Sequence, residues 1–449
     1  MNAYLHKTTS AAPLAIFRVA LGLLLFAGIV RFWMKGWISE LYINPTYFFP
    51  FYGFEFVRPL GDYTYGIFLS CGVCALLVAI GLFYRVAIIG LFLSFTYIEL
   101  MDKSTYLNHY YFISMVCMLM IFLPANTVFS MDSRRRKHLR HSRIPAWCID
   151  SVKLLVALLY VFAGLAKLNS DWLLDAMPLR IWLPAKNETP LIGSLLNYEW
   201  VAYAFSWFGC LYDLTIAFFL LNRRTQPFAY ATVVIFHILT SILFPIGMFP
   251  FIMIATATIF FPPEVHEKII VRISQALRIP SADFNLKSSY QLGKIQQRVT
   301  AIFLILFFSF NTLTPMRYLL YPGELFWTEE GYRFSWRVML MEKAGYAQFK
   351  VKDKSGKIVM VNNAEFLTPL QEKMMSTQPD MILQYAHILR DHYSKAGLVE
   401  PEVYVDSYVT LNGRLSQAYI DPEVDLAKQK ESFDHKSWIL PFKNEISGF

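Results

Sequence analysis

Residues Val152–Leu168 read VKLLVALLYVFAGLAKL, an apolar run long enough to cross a bilayer as a helix, with Lys167 next to its end. Similar runs recur over the first two thirds of the chain and decide its fold. We predict about nine membrane spans. They are Pro13–Trp33, Thr64–Phe83, Ala87–Met101, Tyr110–Met131, Val152–Leu168, Val201–Leu221, Pro227–Pro245, Phe249–Phe261 and Thr300–Thr314. The short eighth span is either tilted or one arm of a broken hairpin enclosed by protein.

The composition agrees with a membrane protein. The chain has 449 residues, of which 55% are hydrophobic and only 16% charged, whereas soluble domains average about 25% charged residues. The net charge of +8 does not indicate nucleic-acid binding, because the basic residues lie in short segments between apolar runs. We therefore expect a lipid bilayer as partner. Cys71 and Cys74 lie within a predicted span without further ligands, so we expect no metal site.

Three basic segments orient the predicted spans. They are Ser133–Arg143 (SRRRKHLRHSR), Arg223–Arg224, and a stretch from Lys268 to Arg298 that includes Lys287. Nine spans put all three on one side, and positive loops face the cytoplasm. The N-terminus is therefore predicted to be cytoplasmic and the C-terminus to lie outside.

The character of the chain changes after the last span. We predict a transmembrane domain over residues 1–315 and an extracytoplasmic α+β domain over residues 316–449. In the second domain, the alternation of Ala347–Val361 predicts a hairpin and the pattern of Glu402–Leu411 predicts a strand. The apolar residues of Leu370–Ala396 have helical spacing, and this helix is predicted to end at Gly397. The fold class predicted is thus an all-α multi-pass membrane bundle followed by a small α+β domain.

Polar residues from three spans are predicted to lie at a similar depth, near the outer side. They are Lys167, His109 with its neighbour Asn108, and His237. Each has an ordinary structural interpretation: Lys167 as an anchor that reaches the membrane surface, His109 as an interfacial residue, and His237 as a core residue. Their convergence instead favours a site, in which a desolvated lysine could act as a base because burial disfavours its charged form.

Two carboxylates need partners under this topology. Asp213 lies within a span, where an unpaired charge costs about 2.5–3.5 kcal/mol; Arg18 and Arg31 are both possible partners. Asp171 is four residues from Lys167 and could pair with it on one face.

Stretches along nearly the whole chain resemble the vitamin K-dependent gamma-carboxylases, whose membrane part is shared with other HTTM-domain proteins. In the membrane part they are YINPTYFFPFYGFEFVRPL (Tyr42–Leu60), DKSTYLNHYY (Asp102–Tyr111), AGLAKLNSDW (Ala163–Trp172), RIWL (Arg180–Leu183) and FHILTSILFPIGMFPFIM (Phe236–Met253). In the C-terminal domain they include YPGELFWTEEGYRFSWRVML (Tyr321–Leu340), PEVYVDSYVTLNGR (Pro401–Arg414) and IDPEVDL (Ile420–Leu426).

The resemblance implies an enzyme that oxygenates vitamin K hydroquinone, or menaquinol, with O2 to the epoxide. The strong base formed on the way removes a γ-proton from a glutamate of a protein or peptide, which then adds CO2. By the same resemblance Lys167 is the catalytic base, His109 assists it, and Asn108 and His237 bind the quinol. The residues implied near the glutamate are Arg180, Arg414, Trp327, Tyr332, Ser335 and Trp336.

The chain departs from the animal members of this family. They have two successive lysines where this chain has Ala166–Lys167, and the extracytoplasmic region here contains no cysteines. These differences imply a bacterial member in the inner membrane. Two alternatives stay open: a quinol epoxidase that does not carboxylate protein, and a non-catalytic quinone-binding membrane protein.

Overall fold

The computed structural model describes residues 7–280, 284 and 288–448; Lys287 of the basic stretch lies outside this range. Helices occur at each predicted span. Their bounds are α1 Ala12–Met34, α2 Thr64–Ile80, α3 Tyr84–Leu100, α4 Asn108–Phe122, α5 Trp147–Leu165, α6 Glu199–Leu221, α7 Gln226–Leu243, α8 Phe249–Ala257, and, after the further helix α9 Pro263–Ala276, α10 Lys294–Leu313.

Six helical segments of the described chain are long and apolar enough to cross a membrane. They are Ala12–Met34, Gly61–Ile80, Trp147–Leu165, Glu199–Leu221, Gln226–Leu243 and Lys294–Leu320. Helices α4 and α8 are apolar but shorter, and α3 has 17 residues. The multi-pass bundle is therefore confirmed, but the count of nine spans is not.

Small residues let the membrane helices approach closely. A Cβ atom on Gly22 of α1 would lie 2.5 Å from the carbonyl oxygen of Ala75 in α2. A Cβ atom on Gly164 of α5 would lie 2.7 Å from the backbone nitrogen of Leu214 in α6. Close backbone approach of this kind is typical of helix packing in membranes, where water exclusion does not drive association. The second contact fixes the helices that carry Lys167 and Asp213.

The basic segments are more structured than the sequence indicated. Strand β1 (Thr8–Ser10) pairs with β2 (Arg143–Pro145), which joins the N-terminal end of the described chain to the end of the arginine-rich loop. The stretch after α8 forms the amphipathic helix α9, which buries His266, Ile270 and Ser274 at a spacing of one turn. Five shorter helices connect other elements, at Trp37–Tyr42, Met131–Arg135, Ser170–Leu173, Leu179–Trp182 and Leu325–Thr328.

The C-terminal domain is built on a four-stranded antiparallel sheet, as the predicted α+β fold requires. Its strands are β3 Lys343–Lys352, β4 Ile358–Met360, β5 Glu402–Leu411 and β6 Gln417–Ala418, in the order β4-β3-β5-β6. The predicted hairpin and the strand over 402–411 are confirmed. The predicted helix is divided into α11 (Pro369–Met375) and α12 (Pro379–Lys395), since Pro379 starts a new helix.

Candidate active site

A cavity of about 480 Å³ lies between the membrane helices and the C-terminal domain. Its membrane side is formed by aromatic and apolar residues of α5 to α8, together with Lys167 and Asp213. Its outer side is formed by charged residues around the loop that follows residue 328 and by the start of β3. The cavity is thus apolar with a few polar groups on its membrane side and charged on its outer side. This combination suits an amphipathic ligand.

Lys167 lies inside the protein at the end of α5, with 6% of its surface exposed. The helix ends at Leu165, and Asn169 then caps a short helix by accepting a hydrogen bond from the Trp172 nitrogen. The Lys167 ammonium lies 2.8 Å from Asp213 Oδ2, and it lies 5.1 Å from the centre of the Trp172 ring. It therefore points to α6 and the cavity and does not reach out as an anchor.

Both carboxylate pairings considered from the sequence are wrong. Asp213 pairs with Lys167 and with neither arginine of α1: Arg18 donates to the carbonyl oxygen of Phe129, and Arg31 lies over the Trp37 ring. The reason is that α5, not α1, packs against α6 at this depth.

Asp171 faces away from Lys167 and is fully buried against the C-terminal domain. It accepts two hydrogen bonds from the Arg414 guanidinium, at 2.7 and 2.6 Å, and a third from Asn412 at 2.8 Å. The hydrogen bond to Asp171 raises the pKa of Arg414 above its usual value. This fork joins the end of α5 to the turn after β5.

His237 lies at the end of a chain of hydrogen bonds between aromatic side chains. Its Nε2 atom is 3.2 Å from the Tyr160 hydroxyl, which is 3.3 Å from the Tyr212 hydroxyl. Its Nδ1 atom is buried and has no hydrogen-bond partner among the described residues. The same holds for Nε1 of Trp336, on another wall of the cavity. Buried polar atoms are seldom left unpaired, so both atoms are available to a ligand.

His109 and Asn108 lie at the first turn of α4. The His109 ring stacks on the Phe249 ring at a centroid distance of 5.3 Å. The His237 ring packs perpendicular to the same Phe249 ring, at a centroid distance of 6.0 Å. Asn108 donates to the carbonyl oxygen of Arg337 at 2.7 Å and accepts from the Tyr106 hydroxyl at 2.8 Å. These bonds hold the start of α4 against the loop of the C-terminal domain.

The outer side of the cavity is a network of paired charges. Asp380 accepts from Arg333 at 2.6 Å and from Lys103 at 2.8 Å. Although burial acts in the opposite direction, these two cations hold the pKa of Asp380 well below its usual range. Lys343 lies 2.8 Å from Glu329, and burial lowers the pKa of Lys343 despite that carboxylate. The network brings residues of the membrane part and the C-terminal domain into one wall.

The loop that forms this wall is conformationally unusual. Phe334, Trp336 and Met339 all have positive φ angles, of 58°, 59° and 58° respectively. Residues other than glycine rarely adopt this left-handed backbone conformation, and those that do concentrate at functional sites. The loop turns Trp336 inward, so that its ring packs on Tyr111 at 4.7 Å.

The structure brings six of the ten sequence-predicted site residues into this cavity. The residues that line it are Asn108, His109, Lys167, His237, Tyr332 and Trp336. Four others do not line it. Trp327 donates to the Leu440 carbonyl oxygen inside the C-terminal domain, and the Ser335 hydroxyl bonds to the carbonyl oxygen of Tyr332. Arg180 pairs with Glu199 at 2.6 Å on an exposed surface, and Arg414 holds Asp171.

Sequence reasoning missed several residues of the cavity. Tyr160 reads as one more aromatic residue in an aromatic-rich span, and only its hydroxyl sets it apart. Lys103, Arg333 and Lys343 lie in polar segments where a cation carries no signal. Lys103 and Arg333 do give a partial signal, because they lie in the stretches DKSTYLNHYY and YPGELFWTEEGYRFSWRVML that carry the resemblance. In the structure Lys103 is only 2% exposed.

Comparison with known families gives two matches. Residues 6–264 match the HTTM domain, and residues 296–445 match the vitamin K-dependent gamma-carboxylase, lumenal domain. Both agree with the resemblance found in the sequence, and the second fits an extracytoplasmic C-terminal domain. No solved structure matches the chain.

Proposed function

Because the chain belongs to the vitamin K-dependent gamma-carboxylase family, we propose that it is a membrane enzyme that oxygenates vitamin K hydroquinone or menaquinol and carboxylates glutamate with CO2. The observation that carries this proposal is the buried Lys167–Asp213 pair in a cavity that also presents His109 and His237. When bound, a quinol of this class supplies, by reaction with O2, the strong base that glutamate carboxylation needs.

The residues present fit a quinol ring. Such a ring has two oxygens at opposite ends, and the cavity offers two buried polar atoms, His237 Nδ1 and Trp336 Nε1, that have no hydrogen-bond partner in the part of the chain that the structure describes. Phe249 provides an aromatic surface between His109 and His237. In this proposal the free-amine form of Lys167 accepts the proton of a ring hydroxyl, and Asp213, 2.8 Å away, stabilises the ammonium that results.

A glutamate side chain is proposed to approach from the outer side of the cavity. The cations that line it there are Arg333, Arg337 and Lys343. Arg333 and Lys343 already pair with Asp380 and Glu329, and they would share their donors with a substrate carboxylate. Arg180 and Arg414 were implied in this role by the resemblance, but neither lines the cavity, and they pair with Glu199 and Asp171. We therefore place the contact with substrate on the cavity cations and propose that Arg414 positions the two domains.

The pairing of these two arginines favours a second candidate function, a quinol epoxidase that does not carboxylate protein. This activity needs the Lys167 side of the cavity but no cation for a glutamate. The two functions share the quinol chemistry and differ only in whether CO2 is fixed.

One experiment separates these possibilities. The purified full chain is incubated with reduced vitamin K, O2, labelled CO2 and a glutamate-containing peptide, and both epoxide and labelled peptide are measured. We expect both products from the wild type and neither from Lys167→Ala, with partial recovery of epoxide on adding a small primary amine. Lys153→Ala, in the first half of α5, is the matched control and should keep full activity.

Each outcome has a defined meaning. Undiminished epoxide from Lys167→Ala contradicts the assignment of Lys167 as the base. Epoxide without labelled peptide favours the epoxidase. Quinol binding with no product in the wild type means that the protein is a non-catalytic quinone-binding protein.

A further inference from the structure

A second cavity of about 610 Å³ lies beside the first. It is bounded by the outer ends of α1 and α3, the start of α4, and the loop between α7 and α8. Its lining is mostly apolar, with side chains such as Leu25, Ile29, Phe95 and Ile113. A chamber of this size and character can hold a lipophilic molecule.

The two cavities share a wall. Six residues line both of them: Tyr106, Leu107, His109, Pro245, Ile246 and Met374. His109 is thus accessible from both sides, and a ligand in the second cavity would lie next to the proposed quinol site without occupying it.

A buried carboxyl group opens into this second cavity. Glu99 is 3% exposed, and its Oε2 atom accepts a hydrogen bond from Ser114 at 2.7 Å. The Ser114 hydroxyl in turn accepts from Thr96 at 3.1 Å. The other oxygen, Oε1, is buried without a hydrogen-bond partner among the described residues. Glu99 is therefore held at one oxygen while the other is left for a ligand.

The polar groups here differ in kind from those of the first cavity. An ionised carboxylate with an unpaired oxygen is costly in apolar surroundings, so we take Glu99 as the neutral acid, which donates one hydrogen bond. Arg31, whose guanidinium carbon lies 4.9 Å from the Trp37 ring centre, also lines the cavity and is a donor without an acceptor function. The carboxylate of Glu40 also lines the second cavity, but Glu40 is exposed, so the buried carboxyl group there is the Glu99 donor. In the first cavity, by contrast, the Lys167–Asp213 pair and the His237 Nδ1 atom can receive a hydroxyl proton.

We propose that the second cavity binds an isoprenoid quinone in its oxidised form. The ring of an oxidised quinone or of its epoxide carries carbonyl oxygens, which only accept hydrogen bonds, and its side chain is apolar. A quinol ring carries hydroxyl donors and is matched less well by Glu99 and Arg31. The class of ring rests on the function proposed above; the location and the preference for the oxidised form rest on Glu99 and the apolar lining.

The test measures binding without turnover. The full chain is placed in nanodiscs of quinone-free phosphatidylcholine, and binding of labelled menaquinone and of labelled vitamin K epoxide is measured by equilibrium titration. We expect Glu99→Leu to weaken binding about tenfold, the effect of losing a hydrogen bond of about 1.4 kcal/mol. Glu99→Gln keeps a donor and should stay within about threefold of the wild type. Lys167→Ala should bind as the wild type does.

A second variant tests the cavity independently of Glu99. The nearest described atom to a Cβ on Gly28 is in the Met248 side chain, at 3.9 Å, so Gly28→Leu can fill the chamber and should weaken binding by about tenfold or more. Tighter binding of menaquinone would identify the membrane quinone as the ligand. Tighter binding of vitamin K epoxide would identify the product as the ligand.

Two results would overturn the inference. One is loss of binding in Lys167→Ala with none in Glu99→Leu, which would place the oxidised ring in the first cavity. The other is equal binding by all variants, which would indicate simple partitioning into lipid. Epoxide formation is measured separately, so a wild type that binds quinone through Glu99 but makes no epoxide refutes the proposed activity and leaves this site intact.

Discussion

Lys167 pairs with Asp213, which lies 46 residues further along the chain, although Asp171 is its neighbour in sequence. The distance between Nζ and Oδ2 is 2.8 Å, and both side chains are almost entirely buried. The pair is neutral as a whole, so it can remain in an apolar environment that would not tolerate either charge alone. Asp213 is therefore expected to be as important to the site as Lys167.

Asp213→Asn removes the charge and keeps the shape of the side chain. We expect the free energy of unfolding to fall by about 3–5 kcal/mol, because the ammonium form of Lys167 is left without a counter-charge. Epoxide formation should fall about 100-fold or more, since Asp213 no longer stabilises the ammonium that forms when Lys167 takes the proton. Denaturant titration and quinol turnover measure the two effects.

The double variant Lys167→Ala/Asp213→Asn is the control for this pairing. With both charges gone, its stability should exceed that of Asp213→Asn alone, because the uncompensated charge has been removed. Purely additive losses would mean that the two residues do not interact.

Gly164 sets the separation of the helices that carry this pair. A Cβ atom there would come within 2.7 Å of Leu214, next to Asp213. Gly164→Ala should push α5 away from α6 and move Lys167 relative to Asp213. A displacement of about 1 Å at a reacting group can cost about 100-fold in rate, so kcat for epoxide formation should fall by about 10- to 100-fold.

Gly66→Ala is the matched control, because a Cβ atom at Gly66 in α2 meets nothing within 4 Å. Its turnover should equal that of the wild type. Unchanged kcat in Gly164→Ala would show that the close approach of α5 and α6 is not needed for the chemistry.

The features predicted from the sequence are those encoded locally. Membrane helices follow from apolar runs, and a helix occurs at each predicted span, although the span predicted over Tyr110–Met131 ends at Phe122. The strand predicted over Glu402–Leu411 has the same bounds in the structure. Loop charges put Lys167, His109 and His237 at one depth, and all three line the same cavity.

The features that were missed depend on which helices touch. Nothing near Asp213 in the chain distinguishes Lys167 from Arg18 as a partner; the choice follows from the packing of α6 on α5, which Gly164 permits. The network of paired charges on the outer side of the cavity was missed for the same reason. Lys103 and Arg333 meet at Asp380 only when the C-terminal domain is docked on the bundle.

Arg414 tests whether a buried ion pair holds the two domains together. Arg414→Ala leaves Asp171, which is fully buried, with Asn412 as its remaining side-chain donor. We expect the free energy of unfolding to fall by about 3–5 kcal/mol, and Asp171→Asn in the same chain to recover part of it. The KM for a glutamate peptide should change little in the protein that remains folded.

The opposite pattern would return Arg414 to the role implied by the resemblance. A KM for the peptide raised about tenfold or more, with stability unchanged, would identify Arg414 as a contact of the substrate carboxylate, since tenfold corresponds to about 1.4 kcal/mol.

Asp102 makes the docked structure sensitive to pH. Burial raises its pKa from the usual 3.8 to about 6, although Ser104 and Gln371 donate hydrogen bonds to its carboxylate. Between about pH 4 and pH 6 the folded protein therefore binds more protons than the unfolded chain, and stability falls as the pH rises through this window. The shift corresponds to about 3 kcal/mol. The contribution of protonated Asp102 to the free energy of unfolding is complete below about pH 4 and is lost above about pH 6.

Asp102→Asn removes this titration. Measurements of the free energy of unfolding from pH 4 to pH 7 should show a smaller decline with pH in the variant than in the wild type, whatever constant offset the amide introduces. The comparison is made on the slope because the amide nitrogen of Asn faces the Gln371 donor, which alters stability equally at every pH. Identical slopes would mean that Asp102 is already ionised in the folded protein at low pH and that its burial is compensated by its hydrogen bonds.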